Sequence, residues 1–94
     1  MKIFVIGSPT NVHLIKRIAE KYGVAGSDVD YVKPESSYTF TQCVQQAFDK
    51  IMKSDIVVVI PKHDGSLKRG TIYEMIFAEE MGKQLDLFIE DVEE

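Results

Sequence analysis

Residues 54–83 read SDIVVVI, PKHDGSLKR and GTIYEMIFAEEMGK in succession, and this stretch decides the fold. Asp55 opens an unbroken apolar run, Ile56 to Ile60, rich in β-branched residues. Such a run leaves no polar face for solvent, so it predicts a strand covered on both sides. Pro61 ends the strand, because it has no amide to give to a sheet. Lys62, His63, Lys68 and Arg69 crowd the following loop, and an amphipathic helix then begins whose first turns hold Gly70, Thr71 and Glu74. A cation-rich loop, a helix N-terminus and one carboxylate therefore follow the carboxyl end of a central strand. In open α/β sheets that edge is where ligands bind.

Working outward, Lys2 to Ile6 is a second continuous apolar run and predicts another central strand. Gly7, Ser8 and Pro9 turn the chain, with Ser8 placed as an N-cap and Pro9 as the first helical residue. Val12, Ile15, Ile18, Ala19 and Tyr22 recur at helical spacing, which predicts a helix from about residue 9 to Tyr22 closed by Gly23. Asp28 to Lys33 alternates polar and apolar residues, as an edge strand does. Residues 33–38, KPESSY, form a loop at the same sheet edge as Gly7 and Ser8. Thr39 and Gln42 fit a capping box. The helix after it carries the stripe Phe40, Cys43, Val44, Ala47, Phe48, Ile51 and Met52. Gly82 ends the helix of residues 70–83, whose Met75, Ile76 and Met81 read as core. Leu85 to Glu90 alternates as a second edge strand, and Asp91 to Glu94 is an acidic tail.

Each crossover is long enough to demand parallel strands with right-handed connections. Two apolar strands inside and two alternating strands outside give the spatial order 2-1-3-4. The expected fold class is α/β, three-layer and flavodoxin- or Rossmann-like, with a four-stranded parallel sheet, flanking helices and one domain over residues 1–94. Its switch point lies between the two central strands, so Gly7 and Ser8 face the loop of Lys62 to Arg69 across one crevice.

Composition narrows the partners. A formal net charge of −4 argues against nucleic acid or a membrane surface held by general electrostatics, which require a basic face. Any anion site must be local. The single cysteine, Cys43, lies in a helical core stripe and has no internal disulfide partner, so a reducing, cytoplasmic setting is expected. The run in MKIFVIG is too short for a signal-peptide core. No Cys/His spacing suits zinc, and neither a Walker A nor a G-x-G-x-x-G pattern occurs, so no metal and no cofactor are expected.

Glu74 admits two readings. Thr71-Ile-Tyr-Glu74 matches a capping box, in which the threonine caps the helix and the glutamate reaches back to the cap's amide. Alternatively, Glu74 projects into the crevice as a carboxylate nucleophile able to hold a glycosyl group. The basic loop likewise reads either as a solvated turn or as a phosphate site reinforced by the helix N-terminus. His63 reads as an exposed loop residue placed where acid–base work is possible, and His13 as solvated. Tyr38 and Phe40 could stack on a base, although Phe40 is read more simply as core. Glu79 and Glu80 form a solvated acidic face.

The stretch DIVVVI, a short loop, then GTIYEMIFAEEMGK resembles the nucleoside 2-deoxyribosyltransferase family. Members open this strand with aspartate and carry G-T-x-x-E with A and G-K further along the helix. IGSP at residues 6–9 is similar to the family's first loop. The resemblance implies transfer or hydrolysis at the N-glycosidic bond of a 2′-deoxynucleoside or its 5′-monophosphate through a glycosyl-Glu74 intermediate. It also implies a homo-oligomer, dimeric or larger; with the crevice and basic-loop readings above, the expected substrate site is Gly7, Ser8, Pro9, Tyr38, His63, Ser66, Lys68, Arg69, Gly70 and Thr71. The family's catalytic aspartate falls at Ala47, and Asp49 lies with Gln42, Gln45, Gln46 and Lys53 on the polar face of the same helix. That departure keeps two alternatives open: a non-catalytic nucleotide-binding module, or a structural domain in which Glu74 is only a cap.

Overall fold

Ile3 to Ile6 and Ile56 to Val59 are buried to 7% exposure or less, as two apolar runs at the centre of a sheet should be. The computed structural model describes residues 1–7, 12–32, 37, 39–61, 67 and 69–88, with the backbone alone at 12 and 13. Its elements are β1 (Ile3–Gly7), α1 (Val12–Tyr22), a 3-10 turn (Gly26–Asp28), β2 (Val29–Tyr31), α2 (Phe40–Met52), β3 (Ile56–Ile60), α3 (Arg69–Glu80) and β4 (Gln84–Leu87). All pairings are parallel and the order is β2-β1-β3-β4. The chain therefore has the three-layer α/β, Rossmann-like architecture with sheet order 2-1-3-4.

Strand alternation divides the core into two layers. Ile3, Val5, Ile56 and Val58 turn toward α1 and pack with Ile18 and Ala19. Phe4, Ile6, Val57 and Val59 turn the other way, against Ala47 and Ile51 of α2 and Ala78 of α3. Phe48 and Phe77 join α2 to α3 by stacking at 4.1 Å between ring centroids. At the amino end of the central strands, the Lys2 N–H donates to Asp55 Oδ2 and the Asp55 N–H donates to the Lys2 carbonyl, each at 2.8 Å. The aspartate that opens β3 thus clamps β1 in register with it.

Helix ends follow the sequence signals. Gly23 and Gly82 take positive φ, and each closes its helix with a pair of backbone bonds: Val24 to Ala19 and Gly23 to Glu20, then Lys83 to Ala78 and Gly82 to Glu79. These are Schellman closures, which favour glycine because a Cβ is disfavoured at that φ. Thr39 and Gln42 form the expected capping box of α2, bonding reciprocally at 3.2 and 2.8 Å. The Ser8–Pro9 start of the first helix, the 33–36 loop and the acidic tail lie outside the described residues.

Several expectations need correction. β2 is shorter than residues 28–33, because Asp28 closes the 3-10 turn. β4 starts at Gln84 and is described only to Leu87, so the strand predicted over Leu85 to Glu90 is displaced toward its start. Its alternation also fails. Asp86 is half-buried, where it accepts a short hydrogen bond from the Tyr22 hydroxyl, whereas Leu87 is 54% exposed at the sheet's outer edge. In α2 the apolar stripe is buried only in its middle, at Ala47 and Ile51. Phe40 and Met52, at its two ends, overhang the sheet and are exposed. Ile76 and Met81 are exposed as well, while Met75 packs on the core, because α3 is apolar nearly all round and only one side of it can meet the sheet.

Candidate active site at the carboxyl edge of the sheet

The parallel strands place β1's exit and α3's start at one edge of the sheet. Gly7, the last residue of β1, pairs with Ile60, the last of β3, and has φ +125°. An added Cβ there would stand 2.3 Å from the Ile60 carbonyl oxygen, so only glycine lets the two strand ends come together. Gly7 and Ile60 thus meet at the point between the two central strands where the sequence predicts a crevice.

α3 begins at Arg69, one residue before Gly70. This start corrects the capping reading of Thr71 and Glu74. Thr71 is the third residue of the helix and is buried, with helical residues on both sides, so it is not the N-cap. Glu74 is left without the reciprocal cap that would account for it. Thr71, Glu74 and Ala78 follow one another at the i, i+3 and i+7 spacing that places them on one face, and Ala78 fixes that face as the one against the sheet.

Glu74 is half-buried, and burial pushes its carboxyl up to about 7. No neighbouring charge contributes to that rise. Among the described residues Glu74 has neither a hydrogen-bond nor an ion-pair partner, unlike Asp30, Asp55 and Asp86. A carboxyl shifted toward neutrality can act as nucleophile when ionised and as acid when protonated.

Arg69 lies on a different side of α3. Its Nε donates to the Tyr73 hydroxyl at 3.3 Å, and its guanidinium stands 5.9 Å from that ring's centre. Phe40, the first residue of α2, meets Tyr73 edge to face at 6.3 Å and comes within 3.5 Å of where a Gly70 Cβ would be. That distance is ordinary van der Waals contact, so the two helix starts meet here without needing a glycine. This cluster of Arg69, Tyr73 and Phe40 did not emerge from the sequence, because Phe40 fits a core stripe until α2 is placed over the sheet. Of the remaining site residues, Ser8, Pro9, Tyr38, His63, Ser66 and Lys68 lie outside the described residues.

Ala47 is fully buried among Phe4, Ile6, Ile51, Val57, Val59 and Ala78, a setting that offers no room or solvation for an acid. Asp49 is exposed, as its place on the polar face of α2 predicts. No group of three or more His, Cys, Asp or Glu among the described residues could hold a metal ion. No helix among them is long and apolar enough to cross a membrane.

No family model and no curated protein matches the chain. Among solved structures it is similar to the CMP N-glycosidase BcmB of Clostridium botulinum, with a TM-score of 0.59 and 21% identity. The match covers 100% of this chain and 73% of that one. At that identity the likeness shows a shared fold, the three-layer parallel α/β architecture described above.

Proposed function

We propose that the chain cleaves or transfers at the N-glycosidic bond of a 2′-deoxynucleoside or its 5′-monophosphate, with Glu74 as the nucleophile that holds the sugar. One observation carries this reading: Glu74 stands on the sheet-facing side of α3 near the carboxyl edge, half-buried, and relieved of the capping role that would explain it. The fold shared with an N-glycosidase supports the reaction class. The substrate site of this reading takes Gly7, Ser8 and Pro9 from the exit of β1, and Gly70 and Thr71 from the start of α3. In this reading Tyr38 serves the base, and His63, Ser66, Lys68 and Arg69 serve a phosphate at the helix N-terminus. Water as acceptor makes the chain a hydrolase, and a second base makes it a transferase. The working form is a homo-oligomer in the cytoplasm.

A second reading, a nucleotide-binding module without turnover, is favoured by the burial of Ala47 in the core, which leaves α2 without an acid in that place. Base release from 2′-deoxynucleosides and their 5′-monophosphates, with unmodified and N-alkylated bases, separates the two. Turnover should fall about a thousandfold or more in Glu74→Gln, on the order of 4 kcal/mol of barrier. Saturable binding with no turnover on any substrate supports the binding module instead.

A further inference from the structure

Breaking an N-glycosidic bond through a carboxylate asks two things of a protein. The carboxylate must be ionised when it meets C1′, and the base must be able to leave with the bonding electron pair. For a neutral base the second need is met by a proton, which glycosidases deliver from a second, positioned carboxyl group.

The described carboxyl groups of this chain lie elsewhere. Asp55 is engaged with Lys2 at the amino end of β3. Asp30 pairs with Lys50, and Asp86 accepts from Tyr22 on the α1 side of the sheet. Asp28 closes the 3-10 turn that leads into β2. Glu20, Asp49, Glu79 and Glu80 are exposed on helix surfaces. Ala47, the α2 position at which the family resemblance expects an acid, is sealed among apolar side chains. Among the described residues Glu74 is thus the one carboxyl on the inward side of α3, the side on which Ala78 meets the apolar layer of Ile6, Val57 and Val59.

Such a group favours a positively charged ligand, since a cation beside it stabilises its ionised form. A base that already carries a positive charge also removes the need for an acid. We infer that the substrate is an N-glycoside of a cationic heteroaromatic base, the class that includes N-alkylated purines and N-glycosylated pyridiniums. This rests on the N-glycoside reading given above and narrows it. The step balances without a proton donor: a Glu74 oxygen forms the bond to C1′ as the C1′–N bond breaks, and its electron pair returns to the ring nitrogen and cancels the positive charge. Water then attacks C1′, releasing the free sugar, restoring the carboxylate and giving one proton to solvent.

The test compares 7-methyl-2′-deoxyguanosine 5′-monophosphate with 2′-deoxyguanosine 5′-monophosphate, each corrected for spontaneous base loss, using the full chain and its Glu74→Gln variant. With no acid among the described residues to protonate the leaving base, kcat/KM for the methylated substrate should exceed that for the unmodified one by about a thousandfold or more, the scale of a missing general acid. Glu74→Gln should abolish the reaction. Rates within about tenfold of each other, both lost in Glu74→Gln, would overturn the cationic-base inference and leave the N-glycoside reading standing, with an acid supplied from outside the described residues, where Glu35, His63 and Asp64 lie. Cleavage of neither substrate, or cleavage unaffected by Glu74→Gln, would overturn both.

Discussion

Gly7 and Ile60 end the two central strands side by side, and an alanine Cβ at Gly7 would lie 2.3 Å from the Ile60 carbonyl oxygen. The φ of +125° is one that L side chains rarely adopt, so the clash adds to backbone strain. Gly7→Ala should therefore destabilise the fold by about 3 kcal/mol or more, read from the denaturant midpoint. A loss under about 1 kcal/mol would mean that the strand ends do not meet this closely.

The burial of Ala47 leads to a prediction of opposite kind, about what cannot be restored. A carboxylate placed there would have no partner within an aliphatic layer. Ala47→Asp should cost on the order of 3 kcal/mol or more and confer no gain in base release, because its charge is unsolvated and its added volume has no space. A soluble, stable Ala47→Asp protein that cleaves neutral nucleotides faster would show that this side of α2 opens on the site.

The raised Glu74 carboxyl has a signature in stability. Folding binds its proton more tightly between about 4.5, the ordinary value, and about 7, so the native state loses stability as pH rises through that window. The cost is absent below the window and complete above it. Solvent reaches part of the side chain, and after discounting for that the cost is about 1–2 kcal/mol. Glu74→Gln should raise the melting temperature near pH 8 and leave it nearly unchanged near pH 4. Equal shifts at both values would remove the charge from the explanation.

On the other side of the sheet, Tyr22 at the end of α1 donates to Asp86 of β4, and its hydroxyl is pushed up to about 12 by burial and by that carboxylate. The contact ties α1 to the outermost strand across the chain. A double-mutant cycle of Tyr22→Phe and Asp86→Asn should give a coupling energy of about 1–2 kcal/mol, as for a partly buried hydrogen bond to a charged group. Additive losses would mean that the two residues act independently.

Strand order was legible because hydrophobic runs report burial on both faces: Ile3 to Ile6 and Ile56 to Val59 could only be central. Glycine helix stops were legible for a steric reason that operates within a few residues. The capping box at Thr39 was legible on the same local grounds, yet the identical pattern at Thr71 was misleading, since the helix had already begun at Arg69. Local sequence cannot distinguish those two cases. Phe40, Ile76 and Leu87 misled for another reason, because periodicity tells which side of an element is apolar and not whether a neighbour covers its ends. The separation of Glu74 from the other described carboxyl groups belongs to the same class, for it depends on where each of them comes to rest.

The proposed reaction passes through a covalent bond between Glu74 and a sugar. Incubation with a 2′-fluoro-2′-deoxynucleotide, whose fluorine slows breakdown of the glycosyl-enzyme, followed by proteolysis and mass spectrometry, reads it directly. The account predicts one added glycosyl unit on the peptide that contains Glu74, absent from Glu74→Gln. Base release by the wild type with the adduct on another residue, or with solvent as the direct nucleophile, would contradict it.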